Sequence, residues 1–228
     1  MIDTDILLQA EHLSREFSGP ASTVHALRDV SIEIRRRDFV AVTGPSGAGK
    51  STLLHLLGCL DRPTSGRVRF DGQDIALLSD PELSRLRAAR IGFVFQTFHL
   101  LNTSTVLENV ALPVFYARRS LEGAVQLASE ALRRVGLADR ADHLPSRLSG
   151  GEMQRAAVAR AVINDPLLVL ADEPTGNLDT ATGESIMSLF HEINRRGSAI
   201  VIVTHNPEIA AHAIRRFDLR DGAMRELT

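Results

Sequence analysis

Short, almost wholly apolar runs recur along the chain, and each is of a length typical of a strand. They cover residues 39–43, 91–95, 167–171 and 199–203. Runs of this kind are typical of strands buried on both faces of a parallel sheet. Stretches with apolar residues at helical spacing lie between them, for example Ile186, Leu189 and Ile193. The alternation of strands and helices predicts an α/β fold with a mostly parallel sheet.

Two regions differ from this pattern. Before residue 40, the stretches 7–13 and 24–34 contain mixed or alternating apolar and polar residues, which predicts a small antiparallel sheet, with a loop over residues 16–20. From about 97 to 163 the pattern is mostly helical, which predicts an inserted helical lobe. Between these regions, Asp80 is predicted to cap a helix that has Pro81 at its first position and runs to Arg90.

Composition and charge exclude several classes of protein. The 228 residues are 44% hydrophobic and 24% charged, with a net charge of −2, so nothing favours binding to nucleic acid. The single cysteine, Cys59, cannot form an internal disulfide, which suits a reducing compartment. No apolar run approaches the ~18 residues of a membrane span, and no signal-peptide pattern is present. We therefore expect a cytoplasmic protein, unless a partner holds it at a membrane.

One stretch fits the phosphate-loop pattern G-x-x-x-x-G-K-[ST] at every fixed position. It consists of Gly44, Pro45, Ser46, Gly47, Ala48, Gly49, Lys50 and Ser51, and Thr52 continues into a predicted helix. A strand before such a loop and a helix after it are the setting that the motif requires. The backbone N–H groups and Lys50 are suited to the phosphates, and the Ser51 hydroxyl to Mg²⁺. The sequence therefore predicts binding of a nucleoside triphosphate.

Polar residues follow three of the apolar runs. Asp172 and Glu173 come directly after one strand, Gln96 after another, and His205 after a third. Ligands of open α/β sheets bind at the carboxyl ends of the strands. We expect Asp172 and Gln96 to support Mg²⁺, Glu173 to polarise the attacking water, and His205 to contact the γ-phosphate. Taken alone, a single histidine or glutamine at a strand end is unremarkable.

A second glycine turn precedes a helix at Ser149, Gly150, Gly151 and Glu152. Ser149 can cap that helix, and the glycines expose backbone N–H groups, so the turn is a second candidate anion site. Taken alone, it would equally fit an ordinary helix cap.

With these motifs, the chain resembles the ATP-binding subunits of ABC transporters over almost its whole length. The residues that carry the resemblance are 44–51, Gln96, 148–154, 167–173, 177–179 and His205, in the order found in that family. Residues 93–96, 108–113 and 172–179 are similar to one branch, which contains macrolide-export, lipoprotein-release and cell-division subunits.

The resemblance implies a single ABC ATPase domain over residues 1–228, with a P-loop NTPase (RecA-like) core, an N-terminal antiparallel β subdomain and an inserted helical subdomain. About 1–95 and 164–228 would form the α/β core with its antiparallel part, and about 97–163 the helical subdomain.

It also implies a head-to-tail homodimer in which each ATP lies between the phosphate loop of one subunit and residues 149–152 of the other. Residues 177–179, with Asp179 among them, would lie along that interface, and Phe17 would stack on the adenine. Arg37 stands where a turn glycine is common in the family.

The function that we expect is hydrolysis of ATP, with Mg²⁺, to power a membrane transporter, and the branch implies export or extrusion of lipoproteins, lipids or peptides. A separate integral-membrane permease would hold the subunit on the inner face of the membrane, docked on apolar residues of the helical lobe such as Leu101 and Tyr116. Two alternatives are a soluble relative in DNA repair or translation and a regulatory ATPase of the cell-division kind. The first would be expected to have a coiled-coil insertion, a second cassette or a basic surface, and the chain has none of these; the second stays open.

Overall fold

A computed structural model describes residues 5–19, 23–117 and 121–227 of the chain. Its strands are β1 (Ile6–Ser18), β2 (Thr23–Arg35), β3 (Phe39–Thr43), β4 (Ser65–Phe70), β5 (Gln73–Asp74), β6 (Ile91–Phe95), β7 (Leu168–Asp172), β8 (Ala199–Thr204), β9 (Arg215–Arg220) and β10 (Ala223–Leu227). Its α-helices are α1 (Lys50–Leu57), α2 (Asp80–Arg90), α3 (Val106–Tyr116), α4 (Leu121–Arg134), α5 (Gly150–Val162), α6 (Thr180–Arg195) and α7 (Pro207–Ala210).

The chain forms two compact units. The first contains Met1–Leu83 with Ala199–Thr228, and the second contains Ser84–Ser198. The second unit contains strands as well as helices, so its bounds are not those of a helical subdomain. The predicted division into a core and a helical subdomain at residues 97–163 therefore stays a prediction.

The first unit contains the antiparallel sheet, in the order β2-β1-β4-β5. Within it, Glu16 pairs with His25 and Phe17 with Val24. The predicted loop at residues 16–20 is therefore wrong for 16–18, and Pro20 lies outside the described residues. Glu16 and Phe17 are not buried, so the hydrophobic pattern does not reveal the backbone pairing that holds them in the strand.

The first unit also contains β3 with β8 and β9, which lie on either side of it and run parallel to it. Four of the five residues of β3 are buried, as expected for a strand covered on both faces. The predicted strands at 39–43 and 199–203 are confirmed. The antiparallel pair β9–β10 was not predicted, because arginines interrupt the apolar positions of β9 and because β10 is mostly exposed.

The start of α2 corrects one prediction. Ser79, and not Asp80, takes the capping position: its N–H and hydroxyl donate to the Glu82 carboxylate at 2.8 and 2.6 Å. The Ser79 carbonyl accepts from the N–H of Leu83 at 2.9 Å. Asp80 is therefore the first helical residue and Pro81 the second. Serine and aspartate cap helices about equally well, so the sequence alone could not decide between neighbours.

The second unit combines the parallel pair β6–β7 with the helices α3, α4 and α5. Helix α5 packs closely on β6, since a Cβ at Gly92 would lie 2.3 Å from the carbonyl oxygen of Ala161. The three helices share a core of small and branched apolar side chains. Its members include Val110, Val114, Ala128, Leu132, Ala156 and Ala159. The predicted helical lobe therefore has a core of its own.

Candidate nucleotide-binding site

The phosphate loop connects β3 to α1, and Lys50 is folded across it. The side chain is buried, and its Nζ donates to the carbonyl oxygens of Gly44 and Pro45 at 2.8 and 3.0 Å. A buried ammonium group requires such acceptors. The two hydrogen bonds fix the positive charge inside the loop, where the sequence predicts the phosphates.

Close backbone contacts explain two of the loop glycines. A Cβ at Gly44 would lie 2.1 Å from the carbonyl oxygen of Leu219. A Cβ at Gly49 would lie 2.2 Å from that of Ala26, and Gly49 also has a φ of +103°. Gly47 has a φ of +79° but open space around its Cβ position. Gly44 and Gly49 are thus required by packing, whereas Gly47 is required by conformation only.

The first turn of α1 is open to an anion. Gly49 occupies its capping position and offers no side-chain hydrogen bond, and no acidic residue lies in that turn. The N–H groups at the start of a helix, together with its dipole, then attract a phosphate. Ser51 is exposed in the same turn, and Thr52 is partly buried.

His205 lies at the same edge of the sheet as the phosphate loop. Thr43 and Thr204 are paired as the last residues of the parallel strands β3 and β8. Gly44 and His205, which follow them, therefore leave the sheet side by side. The His205 side chain is exposed at this edge.

The second unit brings Gln96 together with Asp172 and Glu173. Phe95 and Asp172 are paired at the ends of β6 and β7, so Gln96 and Glu173 follow from neighbouring positions. Glu173 has a φ of +45°, a left-handed conformation that costs about 1–2 kcal/mol in a residue with a side chain. Strain of this kind is often retained at functional sites.

Asn177 holds Gln96 in place. The Gln96 amide nitrogen donates to Asn177 Oδ1 at 3.3 Å, and Asn177 Nδ2 donates to the Gln96 carbonyl at 2.9 Å. A Cβ at Gly176 would lie 2.9 Å from the Gln96 amide nitrogen. Because Gln96 donates through its nitrogen to Asn177, its Oε1 is the atom suited to a cation.

Ser149 caps α5 in a capping box with Glu152. The Ser149 hydroxyl accepts from the Glu152 N–H at 3.3 Å, and the Glu152 carboxylate accepts from the Ser149 N–H at 2.8 Å. Arg140 Nε donates to the same carboxylate at 3.0 Å. These hydrogen bonds lower the pKa of Glu152 from 4.5 to about 2. The bond from the Ser149 N–H has the largest effect, followed by the bonds with Arg140 and the Ser149 hydroxyl. The structure thus uses this carboxylate within the subunit, and its predicted contact with ATP stays a prediction.

A cavity of about 230 Å³ opens beside this cap, wholly within the second unit. It is lined by Ser149, Gly150, Gly151, Arg155, Asn177, Leu178, Asp179 and Thr182. Asp179 caps α6 by accepting from the Thr182 N–H at 3.0 Å. This hydrogen bond is the main reason that the pKa of Asp179 is lowered. The starts of α5 and α6 are in close contact, since a Cβ at Gly151 would lie 2.5 Å from Thr182 Cγ2. Arg155 and the first N–H groups of α5 are suited to an anion, and Asp179 adds a carboxylate to the same lining.

The aromatic candidate, Phe17, lies near the end of β1 in the first unit, with 44% of its surface exposed. A side chain that packs only in the core would be buried. Its exposure leaves the ring able to contact a ligand, and its stacking on adenine stays a prediction.

Comparison with known proteins decides the family. The family profile described as ABC transporter matches residues 27–176, which is more than half of the chain. The chain belongs to the ABC transporter family. This ABC ATPase is 48% identical to LolD, the lipoprotein-releasing system ATP-binding protein of Bordetella pertussis, over 97% of this chain and 96% of LolD.

It is 46% identical to MacB of Bradyrhizobium diazoefficiens, a macrolide export ATP-binding/permease protein, over 96% of this chain. The ABC ATPase spans only 34% of MacB. It is also similar to a solved structure, the dimeric ATP-binding cassette MJ0796 in a post-hydrolysis state bound to ADP and Pi. The TM-score is 0.90 at 40% identity, over 97% of this chain and 99% of that one. The predicted fold class and the prediction of an ABC ATPase are confirmed.

Sequence reasoning missed one residue of the ABC ATPase, Arg155, and one contact, that of Asn177 with Gln96, which the structure places at these sites. Arg155 lines the cavity in the second unit. It lies one helical turn beyond Gly151, a spacing that could have identified it. The hydrogen bonds between Asn177 and Gln96 join residues 81 positions apart, and no local pattern signals them.

In the ABC ATPase, packing requires Gly49 and conformation alone requires Gly47, so we expect their substitution by alanine to destabilise the fold by different amounts. Gly49→Ala should lower the free energy of unfolding by about 3 kcal/mol or more, because its methyl group meets the Ala26 carbonyl. Gly47→Ala, the matched control, should lower it by only about 1–2 kcal/mol, through conformational strain. Urea unfolding without nucleotide measures both, and equal losses would contradict the packing argument.

The lowered pKa of Glu152 predicts a pH-dependent contribution to stability. A carboxyl group with a lowered pKa in the folded state stabilises the fold above its ordinary pKa of 4.5, and this stabilisation is lost as the pH falls towards about 2. Glu152→Gln should therefore be destabilised relative to wild type at pH 7, and the difference should shrink between pH 5 and pH 3. Urea unfolding across this range tests it, with Glu184→Gln on the exposed face of α6 as the control for loss of a carboxylate. A difference that is constant with pH would contradict the assignment.

Proposed function

We propose that this ABC ATPase works as a head-to-tail homodimer that holds each ATP between two subunits and powers an export complex of the LolD/MacB type. One observation carries the proposal: the chain has two sites suited to phosphate. The phosphate loop lies in the first unit, and the cavity at the start of α5 and α6 is built from the second unit alone. Head-to-tail pairing uses both sites for one nucleotide, and the MJ0796 cassette was solved as a dimer.

The proposed chemistry assigns a role to each group at the strand ends. Lys50 and the first turn of α1 bind the phosphates, and His205 donates a hydrogen bond to the γ-phosphate. Glu173 accepts a proton from a water molecule as the oxygen of that water bonds to the γ-phosphorus. The bond from that phosphorus to the bridging oxygen breaks, and ADP leaves with that oxygen.

Magnesium fits the donors that are present. Mg²⁺ prefers hard oxygen ligands. Ser51 offers an exposed hydroxyl, Asp172 a partly buried carboxylate at the end of β7, and Gln96 its Oε1. When bound, the ion would neutralise charge on the β- and γ-phosphates. We propose these three residues as its protein ligands.

The proposed permease docks on the helical lobe. Within the described residues, no helix is long and apolar enough to cross a bilayer. Most of the apolar side chains between Gln96 and Ser149 pack in the lobe's own core, but Leu101 and Tyr116 are 50% and 67% exposed. A permease helix bound there would hold the subunit at the inner face of the membrane. We propose lipoproteins, lipids or peptides as the cargo; the names of LolD and MacB give lipoprotein release and macrolide export for those proteins.

Replacement of Glu173 tests the catalytic assignment. Glu173→Gln should bind ATP but lose at least about 10²-fold in turnover, because an amide cannot take the proton. With ATP it should accumulate as a dimer in size-exclusion chromatography with light scattering. Glu184→Gln makes the same chemical change at an exposed position on α6 and should retain turnover. Turnover of Glu173→Gln close to that of wild type would refute the role of Glu173.

A further inference from the structure

The end of β1 places an arginine over the exposed aromatic ring. Arg15 and Phe17 are two residues apart on the strand, on either side of a register shift between Arg15 and Glu16. The Arg15 Cζ lies 4.7 Å from the centre of the Phe17 ring. A guanidinium group over a ring at this distance forms a cation–π contact. One face of the ring is thus occupied by a flat, charged group.

Arg15 is itself anchored to the segment that follows the phosphate-loop helix. Its Nη2 lies 2.8 Å from Asp61 Oδ2 and 3.0 Å from Oδ1. Both side chains are partly buried, with 24% and 32% exposed, so this ion pair is screened less than one at the surface. The N–H groups of Leu60 and Asp61 donate to the carbonyl of His55 in α1, at 2.9 and 3.4 Å. The position of Asp61 is therefore tied to the helix that begins at Lys50.

We propose that Arg15 is a positioning residue that holds the Phe17 ring as a platform for the adenine of ATP. The inference rests on the proposed function, in which Phe17 stacks on the base. An exposed phenylalanine without a neighbour loses rotational freedom when a ligand stacks on it, and that loss weakens binding. Arg15 orders the ring beforehand and leaves its other face for the base. Asp61 fixes Arg15 relative to α1, so the platform keeps its distance from the phosphate loop.

The proposed role of Arg15 affects binding of the base and not binding of the phosphates. Loss of the Arg15 guanidinium should weaken binding of a nucleotide and should leave binding of a triphosphate without a base unchanged. A purely structural role for Arg15 would weaken both ligands together. Inorganic tripolyphosphate is the probe without a base, and both ligands are measured by calorimetric titration with Mg²⁺.

A double-mutant cycle makes the test specific. Phe17→Ala should weaken ATP binding about tenfold, as expected for loss of one stacking contact. Arg15→Ala should weaken it about threefold in the wild-type background and not at all in the Phe17→Ala background. Arg15→Lys keeps a charge for Asp61 and for the ring but has no flat surface to stack on it, so it should lose less ATP affinity than Arg15→Ala. All three variants should bind tripolyphosphate as wild type does.

Arg69→Ala is the matched control. Arg69 lies on β4 of the same sheet and pairs with Glu11 at 3.6 Å. Its loss should change neither ligand. If Phe17→Ala loses ATP affinity but Arg15→Ala and Arg15→Lys do not, the role of Arg15 is overturned and the adenine contact of Phe17 is not. An unchanged affinity in Phe17→Ala would overturn the adenine contact and this inference with it, while ATP turnover would still report on the proposed hydrolysis.

Discussion

The nucleotide site depends on how closely the backbone of the phosphate loop approaches two carbonyl groups. The Cβ positions of Gly49 and Gly44 lie little more than 2 Å from the carbonyl oxygens of Ala26 on β2 and Leu219 on β9. The turn after β9 strengthens this arrangement, since the Gly222 N–H donates to the Ala48 carbonyl at 3.3 Å. Strands that carry no catalytic group therefore determine the shape of the loop, and with it the position of Lys50.

In the second unit, one helix links two parts of the proposed mechanism. Helix α5 begins at the anion cavity, and near its other end Arg160 donates to the carbonyl oxygens of Phe98 and His99. Both of these residues are left-handed, with φ of +59° and +48°, so the segment after Gln96 has an unusual conformation that Arg160 stabilises. Burial lowers the pKa of Arg160. The cavity and the Gln96 segment are thus attached to the same rigid element.

Local chemistry explains which features were predictable from the sequence. The phosphate loop, the cap at Ser149 and the buried strands depend on neighbouring residues, and the structure has them where the sequence predicts them, except that β7 is shifted by one residue, so that Asp172 ends the strand instead of following it. Arg15 with Asp61 and Gln96 with Asn177 depend on side chains 46 and 81 positions apart, which no periodicity encodes. Arg37 shows a third case. It adopts a φ of +63°, so the turn keeps the conformation that glycine favours although its sequence signal is missing.

The most direct test of a nucleotide shared between two subunits is complementation between two defective chains. Ser149→Arg and Lys50→Ala are each combined with Glu173→Gln, and each chain is sized with ATP alone and in an equal mixture. Either chain alone has one defect in both shared sites and should remain monomeric. The mixture has one site with both defects and one intact site, and it should form a dimer. A dimer of the Ser149→Arg chain alone, or loss of nucleotide binding by its folded monomer, would contradict the head-to-tail arrangement.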